Sequence, residues 1–155
     1  MATKPGTTMN TIDRFLSSEL AGEIEFLTAR TRSLGSARAN KLLEPLDLKV
    51  RSYSVLSLAC SGQAPTQREL AEFLSLDPSQ IVPLVDQLEG RGLVERTADP
   101  NDRRSKVITG TRSGEQLYSK ARKATAEGEA VAMAKLSKAE QETLRDLLSR
   151  IAFRD

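Results

Sequence analysis

The residues best suited to binding chemistry lie in a basic turn past the middle of the chain. Arg103 and Arg104 are adjacent and Lys106 follows, directly after a stretch rich in Pro, Asn and Asp. Turn-forming residues of this kind predict an exposed hairpin tip. Adjacent guanidinium groups at such a tip suit the narrow minor groove of DNA, where negative potential attracts them. The alternative is an ordinary solvated hairpin, whose charges would contribute little to stability.

The two strands of this hairpin are predicted at residues 93–96 and 103–109. Asp102, in the turn between them, cannot favour DNA by its own charge. Its expected role is to hold a neighbouring arginine in a fixed geometry through a charge-assisted hydrogen bond.

Two short helices are predicted immediately before the hairpin. Thr66 and Glu69 have the spacing of a capping box, which begins the first helix. Asp77 followed by Pro78 begins the second, and Gly92 is placed to end it in a left-handed conformation. Two such helices set at an angle and followed by a basic β-ribbon form a unit that can grip duplex DNA.

The second helix has an apolar face and a mixed face. Its apolar side chains recur at positions i, i+3, i+4 and i+7 and predict a core-facing stripe of Ile81, Leu84, Val85 and Leu88. The mixed face carries Ser79, Gln80, Val82, Pro83, Asp86 and Gln87. Serine and glutamine can reach base edges or phosphates, and an apolar side chain can contact a thymine methyl. Taken alone, this face is better explained as the solvated side of an amphipathic helix.

Positive charge is concentrated around the hairpin. The chain has 155 residues and a formal net charge of only +2. Residues 91–123 contain nine Lys and Arg against four Asp and Glu, a net charge of +5 that leaves −3 for the remainder. Such asymmetry is expected of a localised phosphate-binding surface, with chance clustering as the alternative.

Composition argues against several other classes of protein. The chain has one cysteine and no histidine, which excludes an intramolecular disulfide, a His/Cys metal site and the usual nucleophile–histidine pairs. Without a glycine-rich phosphate loop or a recognisable carboxylate pair, neither an enzyme nor a cofactor is expected. The absence of a long apolar run and of a signal-peptide centre predicts a soluble, cytoplasmic protein with no membrane partner.

The segments that flank this unit are predicted to be helical. Residues 1–9 are small and polar and are expected to be poorly ordered, whereas 10 to about 43 reads as one long helix in which Gly35 can mark a bend. Thr111 is placed to cap a helix reaching about Leu136, and Ser137 with Glu140 begins a last one. Their long apolar faces have no local partner, so they predict a dimerisation core.

A further helix is predicted at residues 48–60 and ends at the single cysteine, Cys60. Redox sensing by Cys60 is one interpretation. A small buried residue is the stronger one, because no basic neighbour in sequence lowers its pKa. Tyr53 is likewise interpreted first as a core residue and second as the wall of a ligand pocket.

The segment GLVERTADPNDRRSKV resembles the wing of the MarR family of winged-helix transcription regulators. The matching residues, in both type and spacing, are Gly92-Leu93-Val94, Arg96, Pro100 and Asp102-Arg103-Arg104, with Leu88-Glu89, Thr111 and Gly114 on either side. The resemblance extends weakly over most of the chain. It is more specific than a helix–turn–helix alone, because residues agree across two strands and a turn.

The resemblance implies a mainly α fold with a small β-wing. Residues 10–155 would form one domain, in which a winged helix–turn–helix at 48–111 is flanked by dimerisation helices at 10–44 and 112–153. It further implies a bacterial homodimer, acting as a repressor on a pseudo-palindromic operator in double-stranded DNA. A small anionic or aromatic effector would release it. The implied DNA-binding residues are Thr66, Ser79, Gln80, Pro83, Gln87, Arg96, Asp102, Arg103, Arg104 and Lys106.

Two residues depart from the family pattern. The family often has a basic residue where this chain has Pro83, which removes one helical hydrogen bond and is expected to bend the helix. Gly110 stands in place of a leucine and is expected to loosen the join between the wing and the next helix. Pro83, and the absence of Lys and Arg between Asp77 and Gly90, keep a second hypothesis open: a winged helix that contacts protein instead of DNA.

Overall fold

The computed structural model describes residues 10–102 and 104–153, and within them the chain is mainly helical with a single two-stranded wing. The segment 1–9, predicted to be disordered, and the predicted site residue Arg103 lie outside the described residues. The helices are α1 (Thr11–Phe15), α2 (Ile24–Leu43), α3 (Val50–Ala59), α4 (Gln67–Leu74), α5 (Pro78–Gly90), α6 (Arg112–Ala132) and α7 (Lys138–Phe153). The strands are β1 (Val94–Ala98) and β2 (Lys106–Gly110), and short 3₁₀ turns occupy Glu19–Gly22 and Glu44–Leu46.

The prediction of one helix from residue 10 to 43 is wrong, because the arm breaks between α1 and α2. Ser18 has an extended backbone (φ −73°, ψ 151°), and its hydroxyl donates a hydrogen bond to the Phe15 carbonyl at 2.7 Å. Serine competes with the helical hydrogen-bond pattern in this way, which favours a helix end. Gly35, in contrast, lies within the uninterrupted helix α2.

The core is built where α3, α4, α5 and the wing meet the ends of α2 and α6. Its fully buried side chains include Leu56, Leu70, Ile81, Leu88 and Ile108. Burying each large aliphatic side chain contributes about 1.5–3 kcal/mol. The predicted apolar stripe of α5 is confirmed, since Ile81, Val85 and Leu88 are buried and Leu84 packs against them.

Local capping determines where the two central helices begin. The Glu69 N–H donates to Thr66 Oγ1 at 3.2 Å, and the Thr66 N–H donates to Glu69 Oε2 at 2.7 Å, which confirms the predicted capping box. Hydrogen bonds from the Thr66 backbone and hydroxyl lower the pKa of Glu69. Asp77 begins α5 by accepting a hydrogen bond from the Ser79 N–H at 2.8 Å. Gly92 adopts the predicted left-handed conformation, with φ of 67°.

Gly110 packs closely, and the expectation that it loosens the join after the wing is wrong. A methyl group at this position would overlap Cys60 Sγ and lie 3.3 Å from Cys60 Cα. The missing side chain therefore lets β2 pack directly on the end of α3. Gly128 acts similarly on α6, because a methyl group there would overlap the side chain of Leu42 on α2.

The outer surfaces of the flanking helices remain strongly apolar. Ile24 is 77% exposed and Ile151 is 76% exposed. We refer to the exposed apolar side chains of α1, the following 3₁₀ turn, α2 and α7 as the apolar arm surface: Ile12, Phe15, Leu16, Leu20, Ile24, Leu27, Leu34, Leu147, Leu148, Ile151 and Phe153. No helix in the described residues is long and apolar enough to cross a membrane.

Candidate nucleic-acid interface

The outer face of α5 is open along its whole length. Ser79, Gln80, Val82, Pro83, Asp86 and Gln87 are all exposed, as the sequence predicts. α5 continues through Pro83 from Pro78 to Gly90. Because proline has no backbone N–H, the Ser79 carbonyl loses the donor that residue 83 would supply in a regular helix. The exposed face therefore presents polar side chains on both sides of a rigid proline ring.

The wing is an antiparallel hairpin with a compact, hydrogen-bonded tip. Its register pairs Val94 with Gly110 and Ala98 with Lys106, so the second strand begins at Lys106, three residues later than predicted. Asp102 Oδ1 accepts a hydrogen bond from the Arg104 N–H at 3.0 Å. Asp102 therefore shapes the tip through the backbone, while its predicted contact with an arginine side chain remains a prediction. Arg104 and Lys106 are exposed.

The wing is fastened to the start of α4. The Ile108 N–H donates to the Pro65 carbonyl at 2.8 Å, and Thr66 forms an isolated β-bridge with Val107. Thr66, one of the predicted DNA-binding residues, thus both caps α4 and pairs with β2. This connection limits movement of the wing relative to the two central helices.

Arg96 joins the wing to both central helices. Its guanidinium group donates to Gln67 Oε1 from Nε at 3.1 Å and from Nη2 at 3.0 Å, and it pairs with the carboxylates of Asp86 and Glu89. The Arg96 N–H also donates to Glu89 Oε1 at 3.1 Å. The side chain is only 19% exposed. A planar guanidinium with five donors suits this bridge, so the geometry gives Arg96 a positioning role.

Arg91 forms a second connection that sequence reasoning missed. Directly after α5, its guanidinium donates to the Asp47 carbonyl at 2.6 Å and to the Leu46 carbonyl at 3.1 Å. Asp47 has the left-handed φ of 51° that directs the chain from α2 into α3. No local signal predicts this contact, because the partners are 44 and 45 residues apart.

A large cleft separates α2 from the winged helix. It has a volume of about 1070 Å³ and is lined by α2, the start of α3, the α4–α5 turn and one edge of α5. Its charged lining consists of Arg32, Lys41, Lys49, Arg51, Glu44 and Asp47, which gives an excess of two positive charges. Leu84 and Gln87 of α5 also line it. An anionic molecule in this cleft would contact α5 directly.

Cys60 and Tyr53 are packing residues in this arrangement. Burial, followed by the nearby Glu115 carboxylate, raises the pKa of the Cys60 thiol, which lowers the fraction present as the reactive thiolate. The Tyr53 ring stacks on Tyr118 with centroids 6.1 Å apart, and its hydroxyl accepts a hydrogen bond from Thr125 at 3.3 Å. These contacts support the core interpretation of both residues.

Comparison with known proteins identifies the family. The MarR family model matches residues 48–106. A MarR-family transcriptional regulator from Rhodococcus sp. RHA1 is 42% identical with a TM-score of 0.82, over 90% of this chain and 100% of that one. CouR from Rhodococcus jostii RHA1, solved with p-coumaroyl-CoA, gives the same identity and TM-score over 90% of this chain and 98% of its own.

A structure of the repressor CouR on a 23-mer DNA duplex is 29% identical with a TM-score of 0.79, over 87% of this chain and 96% of that one. Among curated proteins, the match spans 66% of this chain and 62% of a Thauera aromatica regulatory protein for the hcr operon, at 34% identity. It spans 48% of this chain and 52% of MarR from Salmonella typhimurium, at 36% identity. With the fold and the wing, these similarities establish that the chain belongs to the MarR family of transcriptional regulators.

Proposed function

We propose that this protein is a homodimeric, sequence-specific DNA-binding regulator that represses transcription from a pseudo-palindromic operator. The observation that carries the proposal is the joint exposure of the outer face of α5 and of the wing tip with Arg104 and Lys106. Arg96 fastens these two elements to each other. The similarity to a repressor solved on duplex DNA supports the same use of this surface.

Nine of the ten predicted site residues divide among base reading, backbone contact and shaping of the surface in this proposal. Ser79, Gln80 and Gln87 read base edges in the major groove, while Arg103, Arg104 and Lys106 contact phosphates or the minor groove. Thr66 and Asp102 shape the surface, the first by capping α4 and the second by folding the wing tip. Arg96 holds the wing against α5 and does not itself contact DNA.

Dimerisation is proposed from the apolar arm surface. Side chains such as Ile24 and Ile151 are more than three-quarters exposed, and a large exposed apolar surface marks a protein interaction site. Its chemistry suits a second copy of the same surface, since a two-fold interface pairs identical patches. Two copies of α5 would then lie about 34 Å apart, one helical turn of DNA.

Selection of bound sequences from random duplex tests the proposal as a whole. The expected product is an inverted repeat whose half-sites are about 10 base pairs apart from centre to centre. Recovery of no enriched sequence, from protein that is folded by circular dichroism, would reject sequence-specific DNA binding.

Arg104→Ala is expected to weaken DNA binding for all sequences alike. Each phosphate contact contributes about 0.9 to the slope of log affinity against log salt concentration, so two copies should lose a total of about 2. Fluorescence anisotropy with labelled duplex at four salt concentrations measures this slope. Arg30→Ala, which removes the same charge from the exposed surface of α2, should leave the slope unchanged.

A winged helix that contacts protein is the second candidate, favoured by the absence of Lys and Arg from α5. It predicts that duplex binding is weak and indifferent to Arg104→Ala. The same salt series therefore discriminates between the two candidates.

Arg96→Ala is expected to lower DNA affinity about tenfold, equivalent to about 1.4 kcal/mol. Without the bridge, the wing and α5 are no longer held at one spacing. The loss of folding stability should be smaller, about 1 kcal/mol, because its partner carboxylates are 57% and 39% exposed and solvent screens the pairs. Urea denaturation and anisotropy separate the two effects. Arg96→Lys should not restore affinity, since a compact ammonium group lacks the planar fork that spans the separate acceptors on Gln67, Asp86 and Glu89.

We also propose that the cleft beside α2 binds an anionic effector with an apolar portion, of the acyl-CoA or aromatic carboxylate class. CouR, at 42% identity, is solved with p-coumaroyl-CoA, and the cationic excess of the cleft supports an anion here. Leu84 and Gln87 belong to α5, so an occupant would favour one position of that helix. The ligand would thereby shift the population towards dimers with a changed α5 spacing and release DNA.

Arg51→Ala is expected to weaken binding of p-coumaroyl-CoA about tenfold, which corresponds to one lost charge-assisted hydrogen bond. DNA affinity without ligand should remain unchanged, because Arg51 lies in the cleft and away from the outer face of α5. Isothermal titration calorimetry measures the ligand affinity. Arg30→Ala, on the exposed surface of α2 outside the cleft, is the matched control. Equal affinities for the two variants would contradict the assignment.

A further inference from the structure

We infer that Pro83 is a specificity-determining residue that reads the 5-methyl group of a thymine in the major groove. This inference rests on the proposed DNA-binding function and deepens it. The family often has a basic residue at this position. Pro83 would recognise a base through an apolar contact and not through the hydrogen bonds of a basic side chain.

Pro83 occupies the centre of the exposed face of α5. Ser79 and Gln80 lie one helical turn before it, and Asp86 and Gln87 lie one turn after it. All of these residues are exposed. The neighbouring Val82 is 41% exposed and extends the apolar surface around the proline ring. A small apolar patch thus lies between two pairs of polar side chains.

The charges around Pro83 exclude the commonest alternative readout from α5. Guanine is most often recognised by Arg or Lys, and α5 contains neither. Its two carboxylates, Asp86 and Glu89, are paired with Arg96. An apolar contact to a thymine methyl is the base-specific interaction that remains available to the centre of this face. The pyrrolidine ring is rigid, so the contact orders no additional side-chain rotamer.

A cycle of protein and DNA changes tests the inference. Each thymine of the selected half-site is replaced in turn by uracil, which removes only the methyl group, and affinities are measured by anisotropy. At one thymine the unaltered protein should lose about fourfold in affinity, the equivalent of about 0.8 kcal/mol for one buried methyl-sized group. Pro83→Ala should lose less than about 1.5-fold at the same base, because a double-mutant cycle isolates the pairwise contact.

Two controls keep the outcome unambiguous. Pro83→Ala restores a helical N–H and alters only an exposed side chain, so its melting temperature should not fall. Gln87→Ala should weaken binding to both duplexes and retain the fourfold difference between them. If no thymine-to-uracil change affects the unaltered protein more than Pro83→Ala, the inference is wrong while DNA binding stands. If no duplex binds at all, the proposed function itself fails.

Discussion

Replacing Ile24 with glutamate is expected to convert the dimer into monomers and to lower operator affinity about 100-fold to 10,000-fold, the range lost when two linked contacts become one. Ile24 is 77% exposed on the apolar arm surface, and an interface formed there would bury the new carboxylate without a partner. Glutamate should not lower the folding stability of the monomer, because Ile24 is the first residue of α2 and acidic residues stabilise helix N-termini.

Sedimentation velocity reports the oligomeric state and anisotropy with the selected operator reports affinity. The matched control is Ser33→Glu, which introduces the same charge at an exposed position half a turn around α2 from Ile24. The control should remain dimeric. A dimeric Ile24→Glu variant with unaltered affinity would show that the apolar arm surface does not mediate pairing.

Gly114→Ala is expected to lower the free energy of unfolding by about 3 kcal/mol, equivalent to a fall of roughly 10 °C in melting temperature. A methyl group at Gly114 would overlap the carbonyl oxygen of Leu93 and lie 2.9 Å from its carbonyl carbon. Both are backbone atoms at the start of the wing. The same carbonyl accepts a hydrogen bond from the Thr111 N–H at 3.0 Å, so the chain cannot move aside without losing this contact.

Urea denaturation with circular dichroism measures this loss. Gly35→Ala provides the matched control, because Gly35 lies within α2 and a methyl group there would contact nothing within 4 Å. That variant should gain about 0.5–1 kcal/mol from the reduced entropy of the unfolded chain. Equal stability of the Gly114→Ala variant and the unaltered protein would mean that α6 does not cross the wing as closely as described.

Features that depend on nearby residues were predictable from the sequence. The capping boxes at Thr66 and Ser137 rest on a partner three residues away, and the structure contains both. The two faces of α5 follow from helical periodicity alone. The break near Ser18 also has a local cause, but a serine hydroxyl competes with the helix only weakly, so the apolar periodicity of the arm concealed it.

Features that depend on distant residues were not predictable. Arg96 resembles any wing arginine in sequence, yet its guanidinium group binds Gln67, which is 29 residues away, and the proposed positioning role rests on that contact. Gly110 was expected to loosen the chain, but the end of α3 places Cys60 directly against it. In each case the spatial neighbour, and not the residue type, determines the function.

Helix α2 connects the apolar arm surface and the cleft to the DNA-facing surface. α2 carries part of the apolar arm surface, lines the cleft and leads through Asp47 to the contact with Arg91 at the end of α5. Arg96 then connects α5 to the wing. A ligand that changes the position of α5 relative to α2 would thus move α5 and the wing together.

Hydroxyl-radical footprinting of the selected operator is the sharpest test of paired DNA binding, because it maps where two wings and two copies of α5 approach the backbone. A two-fold dimer should protect two symmetry-related regions, with centres about 34 Å apart along the duplex. Each region should include a minor-groove protection that disappears with Arg104→Ala. A single asymmetric protected region, or minor-groove protection that persists in Arg104→Ala, would contradict paired binding through α5 and the wing.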